Sequence, residues 1–154
     1  MFRELLAASK TATGRLQIAH DATLLESWVG EIGGAAGAMA QACLGEESRI
    51  NLRHPPPLLQ LRVLRNVCVD CREAQSIIQE CGAIDVTLSF VSAAAELLAS
   101  DPAEPSSPSS VQVTTDRTLE KALETAVQFL VNAVTGNEHN QAFLWVRLGF
   151  IFFA

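Results

Sequence analysis

Three cysteines offer the most obvious chemistry in this sequence. Cys68 and Cys71 have the C-x-x-C spacing of metal-binding and redox pairs, and Cys81 follows ten residues later. A structural zinc site takes four ligands, and no convincing fourth accompanies these three. A redox pair needs its first thiol at a helix N-terminus, whereas the pattern puts both near the end of an apolar helix. We therefore expect Cys68 and Cys71 to pack in the core, and keep as the alternative a thiol-dependent metal-binding or redox protein using Cys68, Cys71 and Cys81.

The histidines give no sign of nucleophilic catalysis. His20, His54 and His139 are far apart and lie in three different contexts. The sequence has no Gly-x-Ser-x-Gly nucleophile motif and no glycine-rich phosphate loop. We therefore predict a protein that is not an enzyme, with no catalytic residues, no cofactor and no bound metal.

Amide side chains recur in two similar segments. Asn66 and Asn132 are 66 residues apart within the related tetrapeptides Leu-Arg-Asn-Val and Leu-Val-Asn-Ala, and Gln75 and Gln141 each follow by nine residues. Helical repeats of the armadillo or HEAT type run about 40–47 residues. The excess matches a Pro/Ser-rich insertion at 101–115 with its flanks, so the sequence predicts an internal helical repeat.

The periodicity of apolar residues places these amides on helices. It predicts a first helix over 15–32, a break at Gly33-Gly34 because paired glycines are unfavourable in a helix, and a short helix over 35–43. Three prolines at 55–57 form a boundary.

Beyond the prolines, the pattern indicates a long helix, a tight turn, a short helix ending at Gly82 and a longer helix. Thr118 is the predicted N-cap of the next helix, which ends near Gly136. The sequence therefore predicts an all-α fold, an armadillo-like helical solenoid of about two repeats over 58–154. A helical N-terminal extension over 1–54 precedes it, and a mobile loop lies at 101–115.

Composition excludes several function classes. The 154 residues carry 17 acidic and 11 basic side chains, a formal net charge of −6, with no Lys/Arg-rich run. Binding a phosphate backbone needs clustered cations, so no nucleic-acid partner is predicted. The longest apolar stretches are far shorter than the roughly 20 residues that span a bilayer, so we predict no membrane span.

Two segments resemble the ataxin-10 family. They are Leu-Arg-Asn-Val-Cys-Val-Asp-Cys at 64–71, followed by Gln75, and Val-Gln-Phe-Leu-Val-Asn-Ala-Val at 127–134, followed by Gln141 and Trp145. The similarity extends over about 58–146. Beyond Val146 the sequence departs from the family, whose members are several times longer. We therefore expect a fragment, a gene-model truncation or a short splice form, and a truncated form without independent function is a further hypothesis.

The resemblance implies a non-catalytic protein–protein interaction adaptor. It implies a role in cytokinesis, neurite outgrowth and neuronal survival signalling, and a cytoplasmic, perinuclear location. It also implies two partners, O-GlcNAc transferase and G-protein β subunits.

Armadillo proteins also suggest a role for the amides. There, an Asn on the third helix faces the concave groove and can bind the main chain of an extended peptide, since it both donates and accepts. Asn66, Asn132, Gln75 and Gln141 are accordingly candidate partner-groove residues. The alternative, which we favour, is that the Asn side chains bond neighbouring loops and stabilise repeat stacking.

Two further features concern regulation and association. Ser107 precedes Pro108 in the predicted loop and is a candidate phosphosite for a proline-directed kinase. The C-terminal segments 143–146 and 150–153 are strongly apolar, and an exposed apolar patch predicts self-association or chaperone binding.

Overall fold

All regular elements in the described part of the chain are α-helices. The computed structural model describes residues 2–43, 55–99 and 110–153, with side chains described except at 110–116 and 150–153. The all-α prediction is confirmed for these residues. The eight helices in these ranges are α1 (Phe2–Ala8), α2 (Ala12–Ala19), α3 (Ala22–Cys43), α4 (Leu58–Val67), α5 (Arg72–Glu80), α6 (Ala83–Ala99), α7 (Ser110–Val134) and α8 (Glu138–Phe153).

The helices stack in layers that repeat one order. In the first layer α1, α2 and α3 follow one another, in the second α4, α5 and α6, and in the third α7 and α8. Helices at the same place in successive layers pack together: α1 on α4 on α7, α2 on α5 on α8, and α3 along α6. The N-terminal helices, predicted as an extension, therefore have the same arrangement as the rest.

The turn between the first two helices of a layer also repeats. Asp70, between α4 and α5, has a left-handed φ of 48°, and Gly136, between α7 and α8, has a φ of 72°. These residues are 66 positions apart, as Asn66 and Asn132 are. Glycine adopts this conformation without strain, whereas aspartate does so only at a cost. The two segments thus share a backbone turn as well as a sequence pattern.

One hydrophobic core runs through all three layers. Its fully buried large side chains include Trp28 in α3, Leu61 in α4, Ile78 in α5, Phe90 in α6 and Phe129 in α7. The core is continuous across the triple proline that separates the two predicted domains, because α3 packs against α6. The proline boundary therefore separates segments of sequence, and residues on both sides of it share one core.

The N-terminal helices differ from the predicted ones. The predicted break at Gly33-Gly34 is wrong, since α3 runs through both glycines. Ile32 and Met39 are fully buried, and this packing offsets the roughly 1 kcal/mol that each glycine costs a helix. The chain breaks instead at Asp21, whose carboxylate accepts the Leu24 N–H at 3.0 Å as an N-cap.

Two other boundaries also differ. Helix α4 ends at Val67, so Cys71 does not share its buried stripe but directly precedes α5. Helix α7 begins at Ser110, so residues 110–115 are helical where a loop was predicted, and Thr118 lies inside the helix. The remainder of the predicted loop, with Ser107, lies outside the described residues, as does His54.

No single helix in the described ranges combines the length and apolarity that crossing a membrane requires. The pair α5 and α6 does so together by length and composition, but it is bent by 73° where α5 ends. Within the fold, α6 buries Ile84, Phe90 and Leu97 among other residues.

Helix α7 allows a matched test of this packing. Phe129 is fully buried, whereas Val127, two residues earlier, is 46% exposed. We expect Phe129→Ala to lower the free energy of unfolding by about 3–5 kcal/mol, because it leaves a cavity. Val127→Ala should cost less than about 1 kcal/mol. Urea denaturation followed by circular dichroism measures both, and equal losses would contradict the packing described here.

Candidate partner-binding site

The two asparagines lie at equivalent ends of neighbouring helices. Asn66 is near the C-terminus of α4 and Asn132 near that of α7, and these helices pack together. The Asn66 amide donates to Ser9 Oγ at 3.2 Å. The Asn132 amide donates to the Arg65 carbonyl oxygen at 2.9 Å. Each asparagine therefore bonds the preceding layer.

Gln75 is the most heavily engaged of the four candidate amides. It is buried, and its Nε2 lies 3.0 Å from the Cys68 carbonyl oxygen, 2.8 Å from that of Asn132 and 3.0 Å from that of Thr135. The last carbonyls of a helix have no partner within it. Gln75 thus caps the end of its own layer's α4 and the end of α7 in the next layer.

Gln141 occupies the equivalent position in the third layer. Its Nε2 donates to the Val134 carbonyl oxygen at 3.0 Å, and Val134 is equivalent to Cys68. The same bond over seven residues therefore recurs in both layers. Unlike Gln75, Gln141 is exposed, and in the described structure it has no further layer to cap.

Arg15 has a similar role in the first layer, which the sequence pattern did not predict. Its guanidinium donates to the Ser9 carbonyl oxygen at 3.1 Å, close to the end of α1. It also donates to the Val69 carbonyl oxygen at 2.6 Å, just beyond the end of α4. Arginine here does what glutamine does in the next layer.

Asn137 and Asn140 complete the contact between the second and third layers, and both are buried. The Asn137 side chain accepts the Asn140 backbone N–H at 3.1 Å as an N-cap of α8, and its amide donates to Ser76 Oγ at 3.3 Å. The Asn140 amide donates to the Gln75 carbonyl oxygen at 3.0 Å. Asn137, directly after Gly136, has the N-cap residue type that could have signalled this role.

These contacts limit which of the candidate groove residues are available to bind a peptide. The amide donors of Asn66, Asn132 and Gln75 are engaged with other layers, and Gln75 is buried. Binding a peptide main chain through them would require breaking these bonds. Of the four, only Gln141 combines an exposed side chain with bonds confined to its own layer.

The cysteines have separate environments. Cys68 is buried at the end of α4, and desolvation raises the pKa of its thiol far above the usual value, with the neighbouring Cys71 and Cys81 adding to the shift. Cys81, at the end of α5, is half-buried, and its Sγ lies 3.1 Å from the Ile78 carbonyl oxygen. All the cysteines, including Cys43, are free thiols. A reactive or ligating cysteine needs a thiolate, and burial disfavours it at Cys68.

The described residues form no other reactive cluster. Within them, no three or more His, Cys, Asp or Glu side chains are grouped so that they could hold a metal ion. His20 pairs with Glu73 at 3.1 Å across α2 and α5, at the surface. His139 is exposed near the start of α8.

No family model, curated protein or solved structure matches this chain. A functional proposal therefore rests on the contacts between layers and on the surfaces they leave exposed.

The two glutamines provide a matched pair of variants. Gln75→Ala should lower the free energy of unfolding by about 1–3 kcal/mol, because the carbonyls at the ends of two helices lose a buried donor. Gln141→Ala should change it by less than about 0.5 kcal/mol, because its amide is exposed. Urea titrations with unchanged m-values measure the difference. Equal effects would show that Gln75 does not hold the layers together.

The buried thiol predicts a pH dependence of stability. The raised pKa of Cys68 means that its neutral form is favoured in the folded state. The free energy of unfolding that this neutral thiol contributes is fully present below the pKa of an unfolded thiol, about 8.5. Above that pH it falls by up to about 1.4 kcal/mol for each pH unit.

We expect Cys68→Ala to remove this alkaline loss, measured by urea denaturation between about pH 8 and 10. Cys81→Ala should remove a smaller part, because Cys81 is only half-buried although its pKa is also raised. Identical alkaline slopes for the wild type and Cys68→Ala would contradict the burial of this thiol.

Proposed function

We propose that this protein is a non-catalytic adaptor that binds other proteins, built as an armadillo-like helical solenoid and related in function to ataxin-10. Its proposed role is in the regulation of cytokinesis and in neurite outgrowth and neuronal survival signalling. Its proposed location is cytoplasmic and perinuclear. The proposed partners are O-GlcNAc transferase and G-protein β subunits.

The repetition of contacts within successive layers is the observation that supports this proposal most. Gln75 and Gln141 make the same bond to a carbonyl seven residues earlier, and Asp70 and Gly136 make the same left-handed turn. Stacked helical layers of this kind form extended surfaces that bind proteins, and each layer contacts only its neighbours.

The polar chemistry of the described part also favours binding over catalysis. The buried polar side chains Gln75, Asn137 and Asn140 bond helix ends and turns between layers. The thiol with the most strongly shifted pKa, Cys68, is shifted toward the unreactive neutral form. The three amide side chains hold the layers together, as a rigid binding scaffold requires.

The proposed partners can be tested directly with purified proteins. We expect the folded chain, immobilised for biolayer interferometry, to bind O-GlcNAc transferase or a G-protein βγ dimer saturably. Phe129→Ala, which removes core packing, serves as the control for binding that depends on the fold. Absence of saturable binding to both partners, by a chain whose circular dichroism is helical, would overturn the assignment of partners.

Elemental analysis of the same preparation separates the adaptor from the thiol-based alternative. We expect less than stoichiometric metal, and helicity that a chelator leaves unchanged. Stoichiometric zinc together with loss of helicity in chelator would instead favour a structural metal centre involving the cysteines.

A further inference from the structure

The third layer exposes several apolar side chains, and one of them lies at a place that is covered in the second layer. Val127 and Val131 on α7 are 46% and 56% exposed, and Trp145 on α8 is 79% exposed. Leu61 in α4, the equivalent of Val127 one repeat earlier, is fully buried. The difference follows from the stacking, because α7 packs on α4 and no described helix occupies the same place on α7.

Gln141 also makes fewer capping bonds than its equivalent in the second layer. In the second layer Gln75 caps its own α4 and reaches the carbonyl oxygens of Asn132 and Thr135 in the next layer. In the third layer Gln141 makes only the first of these bonds among the described residues, to Val134. The exposed amide lies where a further helix end would supply the second set of acceptors.

The α4–α7 contact specifies the helix that fits this face, which we define by Val127, Val131 and Gln141. Because Asn132 bonds Arg65 and Gln75 caps both helix ends, α4 and α7 run parallel with their C-termini together. Arg65 donates to Gln128 on α7 at 2.8 Å, but its equivalent on α7 is Val131. A helix on the third layer would therefore need an apolar residue where α7 has Gln128.

A second copy of this chain does not meet these requirements at its N-terminal end. Helix α1 has seven residues, against 25 in α7. The carbonyl oxygens at its C-terminus are already engaged: Leu6 by Ser9 Oγ, Ala8 by Thr11, and Ser9 by Arg15. Leu6 and Ser9 would each have to accept a second hydrogen bond to engage Gln141, and Ala8 already accepts two, from the backbone and side chain of Thr11.

We propose that the face formed by Val127, Val131 and Gln141 docks an amphipathic helix of a partner protein. The helix lies parallel to α7, packs apolar residues on the two valines and presents its last carbonyls to Gln141. Such helix-in-groove binding joins apolar anchors to one directional contact. This inference rests on the proposed adaptor function and names the chemistry of the partner.

The test uses the full chain and a fluorescent peptide that copies residues 117–135, with acetylated and amidated ends and Gln128 replaced by Leu. The C-terminal half of α7 is the helix that makes the equivalent contact within this fold. We expect saturable binding by fluorescence anisotropy. Val131→Asp in the full chain should weaken binding at least about tenfold, because docking would bury a charge. Gln141→Ala should weaken it about fivefold, the equivalent of one lost hydrogen bond.

The matched control is Leu59→Asp, which places the same charge on an apolar residue of α4 that is 44% exposed. It should leave the affinity unchanged, and circular dichroism should show both variants helical. No saturable binding, an unchanged affinity for Val131→Asp, or equal weakening by Leu59→Asp would each overturn the proposal. An unchanged affinity for Val131→Asp would also indicate that the peptide replaces α7 on α4.

Sedimentation velocity tests whether a second copy of the chain covers this face. If the chain alone forms dimers that Val131→Asp dissociates, a second copy covers the face and the proposed partner helix is wrong. If the peptide fails to bind while O-GlcNAc transferase or the βγ dimer still binds, the docking face is wrong and the adaptor function stands.

Discussion

The arrangement of this protein depends on the carbonyl groups at the ends of its helices. A helix leaves its last four carbonyls without internal partners, and buried acceptors left unsatisfied are destabilising. Gln75 meets this requirement for two helices at once, since its amide lies within hydrogen-bond distance of carbonyls at the ends of α4 and α7. The bond that satisfies a helix end is therefore also the bond that fixes one layer on the next.

This constraint changes how the polar residues are interpreted. Asn66 and Asn132 have the residue type that could bind an extended peptide, yet both donate to the preceding layer. Buried polar contacts of this kind set the register between layers, while apolar packing in the core supplies most of the stability. Within the described residues, the surface left for binding is then the one on which no further helix packs, where Gln141 and Val131 are exposed.

The same chemistry is achieved with different residues in different layers. Arg15, in the first layer, donates to the carbonyl oxygens of Ser9 and Val69. Gln75 has the corresponding role in the second layer. A guanidinium and an amide both present several N–H groups in a plane, so either can satisfy carbonyls that converge from two helices. Gly136 and Asp70 likewise make one turn with two residue types. The contacts therefore repeat from layer to layer more closely than the residue types that make them.

The sequence by itself determined the helical class, the turn at Gly82, the helix after it and the equivalence of Asn66 with Asn132, because periodicity and glycine placement are local signals. It could not determine that α3 continues through Gly33-Gly34, since packing against α6 outweighs a local cost there. Nor could it determine that Cys71 precedes α5 or that Arg15 caps α4. Those outcomes depend on which helix ends meet in space, and only the tertiary structure brings together groups that lie more than fifty residues apart.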